Sequence, residues 1–131
     1  MFTINQIKEA HAKVKTGADY PDYVQEIIKL GVTGYTTFLH DSHSEYYGQN
    51  NYSTSSPAGN IIRGIALTAD IEKFKYYLKI HQQGETDFLT FCNDAVATGV
   101  EKWKVDFSAM TCAYYDMAGN IMLVEKIGQV S

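Results

Sequence analysis

Apolar residues recur at steps of three and four over Ile4, Ile7, His11 and Val14, which predicts a first helix from about Ile4 to Lys15. Thr3, with Gln6 three residues on, has the spacing of a capping box, and Gly17 is placed to end the segment. A second helix is predicted from Pro21 to Gly31, with Tyr20 or Tyr23, Val24, Ile27 and Ile28 on its buried side. The periodicity then changes. Val32 to His40 and Glu45 to Gly48 read as a hairpin closed by Asp41-Ser42-His43, with Gln49-Asn50-Asn51 turning into a short third strand at Tyr52.

After a linker at Asn60 to Leu67 the order returns. Thr68 or Asp70 is placed to cap a helix carrying Ile71, Phe74, Leu78 and His81. Thr86 is placed to cap another, with Phe88, Phe91, Cys92, Ala95 and Val96 inward and Gly99 at its end. Trp103, Val105 and Phe107 alternate with Lys102, Lys104 and Asp106, the period of a strand with one wet face. Strands at Met110 to Asp116 and Ile121 to Lys126 follow, joined by the turn Ala118-Gly119-Asn120. An offset of 68 positions lays Asp19 on Asp87, Gly31 on Gly99, Val32 on Val100, Tyr35 on Trp103, Leu39 on Phe107 and Tyr46-Tyr47 on Tyr114-Tyr115. One ungapped register of this kind points to an internal duplication. The predicted fold is α+β: one domain over 1–131 made of two repeats, about 1–60 and 68–131. Together they form an antiparallel sheet with helices on one face.

Composition narrows the functional classes more than it selects one. Hydrophobic residues make up 45% and charged residues 20%, the balance of an ordinary globular domain. The net charge is −4, and neither half is basic, so general nucleic-acid binding is not expected. The start, Met-Phe-Thr-Ile-Asn-Gln, has no basic flank or apolar run, and no stretch suits a membrane helix. With only Cys92 and Cys112, each among apolar neighbours, two buried reduced thiols in a cytoplasmic protein are the expectation.

Three patterns carry a family resemblance: His-Ala-Lys-Val-Lys-Thr-Gly-Ala-Asp-Tyr-Pro from His11, Leu-Gly-Val-Thr-x-Tyr from Leu30, and Asp-x-His…Tyr-Tyr-Gly from Asp41 to Gly48. Together they resemble the YdfO/YbcV-like family of small bacterial and prophage-borne proteins, whose function is not established. The resemblance covers nearly the whole chain and implies the fold. It supplies no catalytic residue, and nothing in the residues supports a capsid or membrane role.

The nearest thing to a reactive cluster is His40, Asp41 and His43. Two imidazoles three apart at a hairpin tip can meet a metal, but a structural zinc site normally wants four ligands, and the others would have to be Glu45, His11 or His81. Asp41-Ser42 also reads as turn chemistry, and His11 and His81 as hydrogen-bonded core histidines. No nucleophile elbow, phosphate loop or dinucleotide fingerprint occurs, so no catalytic residue, metal or cofactor is assigned.

Aromatic residues are abundant, with ten Tyr, six Phe and one Trp. Alternation along a strand should put one ring of each Tyr-Tyr pair in the core and the other outside. Phe38 and His40 stand where the second half has Asp106 and Ser108, on the face that should be wet. That disagreement between the halves singles out Phe38 and His40, and with His43, Tyr46, Tyr47 and Tyr52 around the same hairpin they make a candidate surface for an unknown protein or small-molecule partner. The leading expectation is a non-enzymatic binding or regulatory module. The alternatives are a small enzyme or metal-dependent protein using His40, Asp41 and His43, and a homodimer formed through the aromatic face.

Overall fold

The computed structural model describes residues 2–15, 19–59 and 61–127. Two helices, α1 (Ile4–His11) and α2 (Tyr20–Leu30), precede strands β1 (Gly34–Phe38), β2 (Ser44–Tyr47) and β3 (Ser53–Ser55). The same order then recurs as α3 (Ile71–Gln82), α4 (Phe88–Ala97), β4 (Lys102–Asp106), β5 (Thr111–Tyr115) and β6 (Ile121–Lys126). The six strands make one sheet in the order β3-β2-β1-β4-β5-β6, and every neighbouring pair is antiparallel.

Local chemistry explains where the helices begin and end. The Thr3 side chain accepts the Gln6 backbone N–H at 3.2 Å while Gln6 Oε1 accepts the Thr3 N–H at 2.8 Å, the reciprocal pair predicted. Gly31 and Gly99 adopt φ of 108° and 98°, the left-handed region that halts α2 and α4 and in which a side chain is strained. Two expectations are corrected. Helix α1 stops at His11 rather than Lys15, because the Lys13 and Val14 N–H groups turn back three residues to the carbonyls of Ala10 and His11; Gly17 lies outside the described residues. Helix α4 is capped by Asp87, not Thr86: its carboxylate accepts the Thr90 N–H at 2.7 Å, and Phe88 is 57% exposed rather than inward. Between Thr68 and Asp70, it is Asp70 that caps α3.

The strand registers repeat with the sequence offset. Tyr35 faces Tyr46 across β1–β2, and the residues 68 positions on, Trp103 and Tyr114, face each other across β4–β5. Where the halves meet, pairing is symmetric about Thr36 opposite Lys104, with Gly34 opposite Asp106 and Phe38 opposite Lys102. One core joins both halves on the helix side of the sheet, from Ile7, Tyr23 and Ile27 through Tyr35 and Leu39 to Phe74, Phe91, Trp103 and Tyr114. The Phe74 ring lies 4.8 Å from Tyr114 and the Phe91 ring 5.8 Å from Trp103, which seats α3 and α4 on β4 and β5. The other face carries Thr36, Phe38, Glu45, Tyr47, Lys102, Lys104 and Tyr115, side by side in the strand registers.

The segment read as a linker is built into the fold. The Arg63 N–H donates to the His40 carbonyl at 2.8 Å, and the Ala66 N–H to the Val96 carbonyl at 2.9 Å, so residues 61–66 run between the tip of the first hairpin and α4.

Candidate functional site

The first hairpin turns through Leu39 to His43, with Ser42 at φ 64°. The Phe38 N–H donates to the His43 carbonyl at 2.9 Å and the Ser42 N–H to the Phe38 carbonyl at 3.0 Å. Asp41 performs the predicted turn chemistry, its Oδ1 accepting the His43 backbone N–H at 3.1 Å. The same oxygen lies 2.5 Å from His43 Nδ1. These hydrogen bonds from His43 hold the Asp41 carboxyl below its ordinary value.

Both tip imidazoles are anchored through one nitrogen. His43 Nδ1 faces a carboxylate, and His40 Nδ1 lies 3.1 Å from the Arg63 carbonyl, which only accepts. Nδ1 therefore donates in both rings, which leaves Nε2 as the outward nitrogen of each. No protein partner for either Nε2 occurs among the described residues. The His43 ring also stacks on Phe38, with centroids 4.5 Å apart and planes within 5°.

These side chains border a cavity of about 460 Å³, walled by Phe38, His40, Asp41 and His43 on the hairpin and by Ile62, Arg63 and Ile65 on the crossing segment, with Glu101 and Met117 beyond. Arg63 is only 7% exposed. Its Nη1 donates to the Ser42 hydroxyl at 2.6 Å and the Leu39 carbonyl at 3.3 Å, and its Nε to Asn93 Oδ1 at 3.1 Å. Every one of these partners is neutral. Sequence reasoning missed this residue, although one signal was legible: Arg63 is the only arginine in the chain and stands within Ile-Ile-Arg-Gly-Ile.

The remaining candidates separate. Tyr47 points to the outer face, where its hydroxyl donates to Thr36 Oγ1 at 2.9 Å and lies 3.3 Å from Glu45 Oε1. It borders a smaller depression of about 310 Å³ with Phe38, Lys102 and Tyr115. Lys102 Nζ sits 5.8 Å over the Phe38 ring and 5.5 Å over that of Tyr115, a cation–π arrangement. Tyr46 turns to the core and packs on Tyr35 at 5.5 Å, so each Tyr-Tyr pair divides between the faces as expected. Tyr52 is engaged at the chain start, its hydroxyl donating to the Phe2 carbonyl at 2.6 Å. Residues 49–59 follow the edge of β2 and reach the Asp41 carbonyl through the Gly59 N–H, while the ring neighbours of Phe38 are His43 and Lys102.

Other groups are accounted for by packing. His81 stacks on Phe91 at 4.4 Å with Nδ1 3.1 Å from the Thr86 carbonyl, a satisfied structural histidine. His11 is instead exposed, edge-on to Tyr23, because α1 ends there and leaves the ring in solvent. Among the described residues no three His, Cys, Asp or Glu side chains converge as a metal would require. Cys92 and Cys112 are buried free thiols, and burial pushes them up to about 11 and about 12, which keeps them protonated and unreactive at neutral pH. Burial likewise raises the Tyr20 phenol to about 12, where its hydroxyl meets that of Tyr35 at 2.6 Å.

Fold and site together define an α+β protein with a six-stranded antiparallel sheet and an arginine-and-histidine cavity at one hairpin tip. The chain belongs to a family of unknown function, DUF1398, whose model matches residues 8–126. No curated protein matches it. No helix among the described residues is long and apolar enough to cross a membrane.

Proposed function

We propose that this chain is a small cytoplasmic binding module, not an enzyme, whose ligand site is the cavity at the tip of the first hairpin. It is a YdfO/YbcV-like, prophage-associated member of its family, and its single domain is a duplicated unit in which only the first copy retained the site. One observation carries the reading: Phe38, His40 and His43 border one cavity, and both imidazoles are anchored through Nδ1 with Nε2 left without a protein partner. Rings held by neighbours lose little freedom on binding, which is how an amphipathic pocket gains affinity. The double variant Phe38→Asp, His40→Ser copies the second half onto the first. It should fold as the wild type does and lose every ligand-induced rise in Tm found in a small-molecule screen. If it gives the same hits as the wild type, the reading fails.

A second reading, a small enzyme using His40, Asp41 and His43, draws support from the Asp41–His43 pair. A carboxylate that orients Nδ1 leaves Nε2 as a general base. It requires turnover that disappears in His43→Gln while binding persists. Homodimerisation through Phe38, Tyr115 and Ile121 on the outer face is a third reading, and light scattering decides it.

A further inference from the structure

We infer that the ligand of this cavity carries a carboxylate or phosphate group that pairs with Arg63. The inference rests on the binding reading above and adds the chemical class of the ligand. Placing a guanidinium out of water is costly unless an opposite charge faces it. No carboxylate lies within ion-pair distance of Arg63 among the described residues. The nearest acid on the hairpin tip, Asp41, is engaged by His43. Of the guanidinium nitrogens, Nε and Nη1 have neutral acceptors, while Nη2 has none among the described residues. No wholly buried side-chain nitrogen or oxygen among the described residues lacks a partner, so Nη2 keeps a solvent-reachable face, and Arg63 is a wall of the cavity. A guanidinium with N–H capacity to spare, on a residue that lines a cavity, is the group that a carboxylate or phosphate oxygen matches.

The other walls refine the class. Phe38, Ile62 (63% exposed) and Met117 (44% exposed) offer an apolar surface to the body of the molecule. The two Nε2 atoms are open to a hydrogen-bonding ligand group, and the Glu101 carboxylate has no partner among the described residues. A purely anionic ligand would face Glu101. A small amphoteric molecule, with its anion on Arg63 and a donor group toward Glu101 and the imidazoles, satisfies all of them. A cavity of about 460 Å³ accommodates a substituted single ring.

Four probes test this: benzoate, phenyl phosphate, benzylamine and para-aminomethylbenzoate, each titrated against the full chain by thermal shift and by NMR. Because the chain has one arginine, its Nε–Hε signal reports the site without ambiguity. Benzoate or phenyl phosphate should raise Tm and move that signal saturably, and the tighter of the two identifies the anion. Para-aminomethylbenzoate should bind more tightly than benzoate, and benzylamine about tenfold or more weakly, the factor a charged hydrogen bond is worth. Arg63→Met risks unfolding the tip it ties together, so Met117→Trp, which narrows the cavity without touching Arg63, should abolish the response in a folded protein. Benzylamine binding that Phe38→Asp, His40→Ser removes, with the arginine signal unmoved by the anions, overturns the anion assignment and leaves the binding reading standing. Silence from all four probes and from a neutral-compound screen overturns both.

Discussion

At the tip of the first hairpin Asp41 holds an imidazole, His40 reaches the crossing segment, and a buried arginine closes the floor. At the tip of the second, Asp106 Oδ1 accepts the Ser108 and Ala109 backbone N–H groups at 2.8 and 3.3 Å, and among the described residues no imidazole or cation bonds to it. The backbones agree closely: Ser42 and Met110, 68 positions apart, both take a left-handed φ, of 64° and 53°. One scaffold therefore supports either a plain turn or a furnished cavity. The first tip is furnished by the segment that crosses it: after β3 the chain runs over the first hairpin on its way to α3, bringing Arg63 with it.

The largest effect should come from the core beneath the two tips. Leu39 and Phe107 are matched by the offset, but Leu39 is 0% exposed while Phe107 is half-buried. Leu39→Ala should cost about 2–5 kcal/mol by urea denaturation, the range for emptying a fully enclosed aliphatic site. Phe107→Ala should cost less than half as much despite removing a larger side chain, because solvent already reaches it. Equal costs would mean that the tips are supported alike and that the contrast is confined to the surface.

Next in size is the strand pair at the centre of the sheet. A Cβ on Gly34 would stand 2.5 Å from the Val105 carbonyl oxygen, a backbone atom that is unable to swing aside. Gly34→Ala should therefore destabilise by about 1–3 kcal/mol, as overpacking does. At the matched position Lys102→Ala should cost about 0.5–1 kcal/mol, the worth of an exposed cation–π contact. If Gly34→Ala is neutral, β1 and β4 separate more easily than their register implies.

Much of this architecture was legible because it rests on local chemistry. The capping box at Thr3, the helix-ending glycines 31 and 99, and the alternation that splits Tyr46 from Tyr47 and Tyr114 from Tyr115 all follow from neighbours in sequence. The site was legible only in part. His40, Asp41 and His43 stood out by spacing, and Phe38 by the mismatch with Asp106, and these four do border one cavity. Tyr46 and Tyr52 were grouped with them by proximity along the chain, yet one turns to Tyr35 and the other to Phe2. Arg63 escaped because its role depends on contacts 21 and 30 positions away, at Ser42 and Asn93, which no local pattern encodes. A single charge among Ile61, Ile62 and Ile65 reads as a linker until the chain is folded over the hairpin.

The smallest effect concerns the imidazole that the second tip lacks. Hydrogen bonds from the His43 ring and backbone hold the Asp41 carboxyl below its ordinary 3.8. A carboxyl whose folded value is depressed adds stability that is fully present above its unfolded value and is lost as pH falls through the folded one. The stability difference between wild type and Asp41→Asn should therefore be level above about pH 5 and shrink below about pH 4. It should be modest in size, because the pair is partly solvated and screened. The ring and the backbone contribute separately, and His43→Ala removes only the ring. In a carbon-detected titration that variant should move the Asp41 midpoint back toward 3.8 without restoring it fully, since the backbone N–H bond remains. An unchanged midpoint would assign the depression to the turn alone. The first tip would then hold its carboxylate as the second does, and His43 would contribute its stacking on Phe38 and nothing more.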